Sequence, residues 1–135
     1  MDNERLQKQI KFIVEIDKAK QVFRQNVVIG TERNENDAEH SWHLAVMAML
    51  LAEYFDNEEL DILKVIKLVL IHDLVEIYAG DTFCYDDKEH ENKEEREKEA
   101  AKRLFSILPE DQAREFEELW NEFEESQTPE ARFAA

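Results

Sequence analysis

The stretch VIKLVLIHDLVE at residues 65–76 decides the fold, because it is almost continuously apolar and contains no glycine or proline. Such a run is typical of a helix that is buried on most sides. Near its end, His72, Asp73 and Glu76 place three ionisable groups among apolar side chains. Buried charged groups are costly unless they are paired or bind a metal. We therefore interpret this helix as a core element that also carries a candidate site.

The rest of the sequence favours an all-α fold in a single domain over residues 1–135. Hydrophobic residues make up 43%, and glycine and proline number two each, which is few for a β-sandwich or a doubly wound sheet. The patterns predict helices at residues 4–23, 37–55, 58–78 and 88–108, an ordered loop at 24–37, a helix opening at Pro109 and a last one capped by Thr128 before Pro129. The expected N-caps are Asp37 for the second helix and Asp56 or Asn57 for the third.

The net charge of −16 argues against nucleic acid as a partner. An anionic substrate would need a local cation or converging arginines to reverse the sign of the field. The single cysteine, Cys84, suits a reducing compartment. No stretch of the sequence is apolar for long enough to span a membrane. We therefore expect a cytoplasmic protein without a membrane partner.

A second pair of histidines, His40 and His43, lies about one turn apart on the second predicted helix. Spacing places His72 and Glu76 on one face of the third helix. Imidazole and carboxylate groups together suit a first-row divalent metal such as Mn, Fe, Co, Ni or Zn. The alternative is that these histidines are satisfied core residues, and spacing alone does not decide between the two.

Three motifs together resemble the HD-domain superfamily: NDAEHS at residues 36–41, IHDLVE at residues 71–76, and Gly80-Asp81. Their order and spacing are most similar to the small bacterial 5'-deoxynucleotidases and the related HD-domain-containing-protein-2 group, over roughly residues 15 to 133. The resemblance implies a compact helical bundle, about five to six helices here. It also implies a homodimer that hydrolyses nucleoside or deoxynucleoside 5'-monophosphates with one divalent metal ion. The candidate ions are then Mn, Co, Fe, Ni, Zn and Mg.

The resemblance makes His40, His72 and Asp73 the metal ligands. It also implies that Glu76 positions or deprotonates the attacking water and that Asp81 acts near the leaving group. Which of these two carboxylates is the base and which the acid stays open.

The arginine that binds the substrate phosphate in this family matches Arg24 best, and Arg33 is the competing choice. Either guanidinium can hold a phosphate through two parallel hydrogen bonds. The family's fourth metal ligand is an aspartate on the last helix, which would fall a few residues beyond Ala135. We therefore expect that the sequence stops short within its last helix.

Two other functions remain open from the sequence. One keeps the metal but changes the substrate to an alarmone, a cyclic dinucleotide or a nucleoside triphosphate. The other is a non-catalytic regulatory module that binds metal for stability. Trp42 or His43 could line a substrate pocket, whereas His90 lies in a charged run that is expected to be solvated.

Overall fold

The structure, a computed structural model, describes residues 3–55, 59–79 and 87–135, with the backbone alone at residues 87–92. Its helices are α1 (Asn3–Ile16), α2 (Asp37–Leu51), α3 (Ile62–His72), α4 (Glu76–Ala79), α5 (Asp87–Phe105), α6 (Glu110–Glu125) and α7 (Pro129–Ala134). Strands β1 (Phe23–Val27) and β2 (Asn34–Asn36) form an antiparallel hairpin, and short 3-10 helices occupy Asp17–Gln21, Ala52–Tyr54 and Asp73–Val75. The predicted all-α class is confirmed.

The first predicted helix and the loop after it differ from the structure. The α-helix ends at Ile16 rather than residue 23, because the chain tightens into a 3-10 turn and then extends into β1. The segment predicted as an ordered loop forms the hairpin instead. Gly30 allows the turn with a φ of 80°, and the amide of Val28 donates to the carbonyl of Arg33 at 2.9 Å.

The N-cap of α2 lies one residue before the predicted one. Asn36, not Asp37, is the N-cap, and its side chain accepts a hydrogen bond from the amide of Glu39. The α-helical part of this element ends at Leu51 and continues as a 3-10 turn, so the predicted end at Phe55 is too late. A cap is better formed by Asn36 because the backbone is extended there, with ψ at 166°.

The third predicted helix begins later and is not continuous. The α-helix starts at Ile62 behind the N-cap Asp61, whose side chain accepts from the amide of Lys64 at 3.2 Å. The caps proposed at residues 56 and 57 lie outside the described residues. After His72 the chain changes to 3-10 geometry and only then resumes as α4. The last predicted cap is confirmed: Thr128 accepts from the amide of Ala131 at 3.1 Å.

The core surrounds α3, which packs against α2, α6 and α7. Its largest fully buried side chains come from α3, the 3-10 turn after it and α5: Val65, Leu68, Val75, Leu104 and Phe105. Phe105 also contacts the rings of Phe12 and Phe116, with ring centroids 6.5 and 6.0 Å away. The long apolar stretch is therefore the centre of the fold, as its composition indicates.

Part of the apolar surface on α1 and α2 is not covered. Leu6, Ile10 and Ile13 of α1 are exposed and line a cavity of about 750 Å³ that also reaches Asp73. Trp42 on α2 is 65% exposed. Within the ranges that the structure describes, no helix is long and apolar enough to cross a membrane.

Candidate metal centre and active site

The carboxylate of Asp73 lies at the centre of the candidate site, directly after the end of α3. Its Oδ1 is 3.1 Å from Nδ1 of His72, and its Oδ2 is 4.0 Å from Nε2 of His40. The same Oδ2 lies 3.9 Å from Nη1 of Arg24. Only 13% of the Asp73 side chain is exposed. The structure thus brings three of the predicted site residues together around the carboxylate of a fourth.

The start of α2 places His40. Asn36 Oδ1 accepts a hydrogen bond from the amide of Glu39 at 2.9 Å, and Glu39 Oε2 accepts from the amide of Asn36 at 3.1 Å. This reciprocal capping box fixes the first turn of the helix. Nδ1 of His40 lies 2.9 Å from Oε1 of Glu35 on β2. The imidazole is therefore held between the hairpin and Asp73.

The ring of His72 is held from the side of α6. It stacks on Phe123, with ring centroids 3.7 Å apart and an interplanar angle of 23°. Its Nε2 lies 2.8 Å from Oε1 of Glu124, and its Nδ1 faces Asp73. Both nitrogens of His72 thus contact a carboxylate.

The carboxylates around His72 favour its charged form. Burial acts to lower the pKa of His72, but the hydrogen bonds with Asp73 and Glu124 outweigh it and raise the pKa to about 9. Burial also acts to raise the pKa of Asp73, yet the hydrogen bond from His72 and the charges of His40 and Arg24 lower it. In the absence of a metal ion, His72 and Asp73 therefore form an imidazolium–carboxylate pair at neutral pH.

The two candidate arginines lie in different surroundings. Arg24, on β1, has Nη1 3.8 Å from Asp37 and Nε 3.8 Å from Glu35. Its Nε is buried and donates no hydrogen bond within the part of the chain that the structure describes. Arg33 is 55% exposed, and its Nη1 lies 2.9 Å from Oε1 of Glu39 and donates a hydrogen bond to Oε2 at 3.1 Å. Arg24 is the arginine that lies beside Asp73.

Of the two predicted proton-transfer residues, Glu76 lies within the described residues and Asp81 does not. Glu76 is half-buried and is the first residue of α4, directly after the 3-10 turn. Asp81 lies outside the described residues, as does Cys84.

Trp42 and His43 are both exposed on α2, with ring centroids 6.2 Å apart. The side chain of His90 is also outside the described residues.

Two site residues were missed by the reasoning from sequence, namely Glu35 and Glu124. Each carboxylate contacts one of the two histidines, but neither stands at a diagnostic spacing from it. Glu124 is one of three glutamates between residues 122 and 125, and no local pattern distinguishes it from the others. Only the packing of α6 against the end of α3 reveals its position.

The donor atoms at the site have the chemistry of a divalent metal centre. Imidazole nitrogens and carboxylate oxygens bind first-row divalent ions, and each imidazole here has a second carboxylate on its other nitrogen. In the described ranges, no three histidine, cysteine, aspartate or glutamate side chains are gathered tightly enough to surround one ion. His72 and Asp73 hydrogen-bond each other instead, so an ion would have to displace the shared proton. The residues fit a divalent ion by their chemistry.

The family model for the HD domain matches residues 16–135. The chain belongs to the HD domain family. The three motifs that carry the resemblance in the sequence are found in this matched region, and the predicted family is confirmed. His40, on α2, and the pair His72-Asp73, at the end of α3, are the histidine and aspartate residues that meet in this HD domain.

Several proteins are similar to this HD domain. A solved structure of a predicted metal-dependent phosphohydrolase from Magnetospirillum magnetotacticum MS-1 is 55% identical, with a TM-score of 0.87, over 97% of this chain and 65% of that chain. The human protein named 5'-deoxynucleotidase HDDC2 is 36% identical over 77% of this chain and 49% of its own length. The mouse protein of the same name is 34% identical over 92% of this chain and 61% of its own. This chain therefore spans about half to two thirds of these relatives.

Proposed function

We propose that this HD domain belongs to a metal-dependent phosphohydrolase that converts nucleoside or deoxynucleoside 5'-monophosphates to nucleoside and phosphate. The observation that carries the proposal is the meeting of His40, His72 and Arg24 at the carboxylate of Asp73. The proposed metal ligands and the arginine proposed to bind phosphate thus lie side by side. The relatives named 5'-deoxynucleotidase support the choice of substrate.

In this proposal His40, His72 and Asp73 hold one divalent ion. The ion supplies positive charge against the phosphate oxygens and lowers the pKa of water towards neutrality. This positive charge also resolves the difficulty of attracting an anionic substrate to a chain with a net charge of −16. Mn, Co, Fe, Ni, Zn and Mg are all compatible with the donor set.

The remaining roles are assigned to side chains around this centre. Arg24 binds the phosphate, because its guanidinium lies next to Asp73 and has a buried nitrogen that makes no hydrogen bond to the described residues. Arg33 is the weaker choice, since it is exposed and paired with Glu39. Glu76 positions or deprotonates the attacking water, and Asp81 acts near the leaving group.

The proposal extends to compartment and assembly. We place the protein in the cytoplasm, which suits its single cysteine. We also propose a homodimer, and the exposed apolar residues on α2 support it, with Trp42 65% and Leu50 68% exposed. Sedimentation velocity of the full-length protein would give the assembly state directly, and a monomer at micromolar concentration would contradict this part of the proposal.

A phosphate-release screen of the full-length protein tests the activity. Deoxy- and ribonucleoside 5'-monophosphates would be assayed with Mn²⁺, Co²⁺ and Mg²⁺ in parallel, beside an alarmone, a cyclic dinucleotide and a nucleoside triphosphate. We expect release from monophosphates that depends on the added metal. Release from another nucleotide class alone would move the substrate assignment. No release from any of them, with a melting temperature that still depends on metal, would indicate a regulatory module.

The variant Glu76→Gln separates catalysis from metal binding. We expect it to lower kcat by about 10² to 10⁴-fold, the usual contribution of a general acid or base, while metal affinity stays within about twofold. Glu53→Gln is the matched control, because Glu53 is exposed on the turn after α2. Equal activity in the two variants would exclude Glu76 from the proton transfer.

A further inference from the structure

The carboxylates of Glu35 and Glu124 have no role in the function proposed above, yet each one contacts a proposed metal ligand. We infer that Glu35 and Glu124 are positioning residues: they hold His40 and His72 in the ring orientation and tautomer in which the nitrogen facing Asp73 can bind a metal ion. The inference rests on the proposed metal site and deepens it.

The two histidines are held in matching ways. His40 has Nδ1 2.9 Å from Glu35 and Nε2 facing Oδ2 of Asp73 at 4.0 Å. His72 has Nε2 2.8 Å from Glu124 and Nδ1 facing Oδ1 of Asp73 at 3.1 Å. Opposite nitrogens of the two rings therefore face Asp73, and in each ring the remaining nitrogen faces a glutamate. Each glutamate therefore contacts the ring nitrogen that points away from Asp73, although one glutamate lies on β2 and the other on α6.

The two glutamates are themselves held by the fold. Glu35 belongs to β2, and only 15% of its side chain is exposed. Glu124 is 40% exposed, but it follows Phe123, whose ring stacks on the imidazole of His72. The orientation of one histidine is thus tied to the hairpin, and that of the other to α6.

A carboxylate on the outer nitrogen of a metal-binding histidine has a defined physical effect. It accepts the hydrogen of that nitrogen, so the lone pair of the other nitrogen is left available for the ion. It also prevents the ring from rotating away from the site. Removing such a partner costs about 10 to 100-fold in metal affinity or activity. A glutamine in its place carries no charge and can turn its NH2 group instead of its oxygen toward the ring, so it no longer fixes the ring nitrogen as the donor.

Glu124→Gln gives the cleaner test, because Glu35 also lies 3.8 Å from Arg24. Co²⁺ binding to the full-length protein would be measured by calorimetry, and the visible absorption of bound Co²⁺ would report its coordination. The matched control is Glu125→Gln, the exposed neighbour on the same helix. Glu35→Gln tests the same idea on the hairpin, independently of α6.

We expect the Kd for Co²⁺ to rise about 10 to 100-fold in Glu124→Gln and in Glu35→Gln, with an altered Co²⁺ spectrum. Glu125→Gln should match the wild type within about twofold. The melting temperatures of the metal-free proteins would be compared in parallel. A loss of affinity seen only where the metal-free protein has also lost stability would overturn the inference, since the glutamate would then act on the fold.

The same measurements distinguish failure of the positioning role from failure of the metal site. Wild-type affinity and spectrum in both Glu→Gln variants would overturn the positioning role and leave the proposed metal site standing. Absence of Co²⁺ binding in the wild type would overturn the metal site, and the positioning role with it.

Discussion

Asp73 shows how one side chain organises this site. Its two carboxylate oxygens face different partners, with His72 at Oδ1 and both His40 and Arg24 at Oδ2. These partners come from α2, α3 and β1, so the carboxylate links three elements that are distant in sequence. A buried carboxylate needs such partners, because burial alone would raise its pKa and neutralise it.

Arg24→Lys is expected to raise KM for the nucleotide about tenfold or more, while kcat changes less. A lysine ammonium keeps the charge but cannot form two parallel hydrogen bonds to a phosphate. Steady-state phosphate release checks this result.

Arg33→Lys is the comparison variant, because Arg33 pairs with Glu39 on the surface. We expect its KM to stay within about twofold of the wild type. A larger effect of Arg33→Lys than of Arg24→Lys would reverse the assignment of the phosphate-binding residue.

Individual elements owe their bounds to local hydrogen bonds. The capping box of Asn36 and Glu39 starts α2, and the side chain of Thr128 starts α7 while donating to Glu122 at 2.8 Å. The capping box at the start of α2 also bears on the proposed site, because His40 is the residue directly after Glu39. The position of a proposed metal ligand thus depends on a cap.

Asn36→Ala is expected to lower the free energy of unfolding by about 1 kcal/mol, the usual cost of removing an N-cap side chain. Chemical denaturation would measure it. Asn34→Ala is the control, since Asn34 is exposed on the same strand and does not cap a helix. Equal losses in the two variants would show that the cap contributes nothing beyond the strand.

The sequence predicts the helices well where apolar periodicity and caps agree, as at Thr128 and in the central apolar stretch. It predicts the hairpin and the change to 3-10 geometry after His72 poorly. Neither feature leaves a signal in the apolar periodicity. The hairpin is held by backbone hydrogen bonds, such as the amide of Asp37 donating to the carbonyl of Val22 at 2.9 Å, and the 3-10 turn packs against α2 and α5. The site follows the same division. His40, His72 and Asp73 stand in recognisable motifs, whereas Glu35 and Glu124 become visible only once α6 and the hairpin are in place.

At the scale of the whole molecule, α3 packs against α2, α6 and α7, and the site lies at its C-terminal end. Its side chains differ sharply in exposure: Leu68 is fully buried, while Leu63 is 63% exposed. Stability and site geometry therefore depend on the same helix, because a change in its packing would also move His72.

Leu68→Ala is expected to lower the free energy of unfolding by about 2–5 kcal/mol, because it removes buried methyl groups and leaves a cavity. Leu63→Ala, the same substitution in the same helix, should cost less than about 1 kcal/mol. Denaturant titration of both variants gives the comparison. Similar losses would mean that the two positions are equally buried in solution.

Chelation of the metal is expected to lower the melting temperature of the full-length protein. An ion that binds only the folded state stabilises it by about 2.7 kcal/mol at a free concentration one hundred times its Kd. Calorimetry with and without a chelator would measure the shift, and restored Mn²⁺ should reverse it. A melting temperature that is independent of metal would contradict binding to the folded state.

The 3-10 turn at Asp73–Val75 has a consequence for where Glu76 lies. Each residue advances about 100° around an α-helix but about 120° around a 3-10 helix, with a rise about 0.5 Å greater. In ideal geometry, three residues of a 3-10 helix turn about 60° further around the axis and rise about 1.5 Å further along it than three residues of an α-helix. A helical wheel therefore misplaces Glu76 relative to His72 by about a sixth of a turn. The local winding of the backbone, as much as the spacing of the residues, sets the direction in which the Glu76 side chain leaves the helix relative to His72.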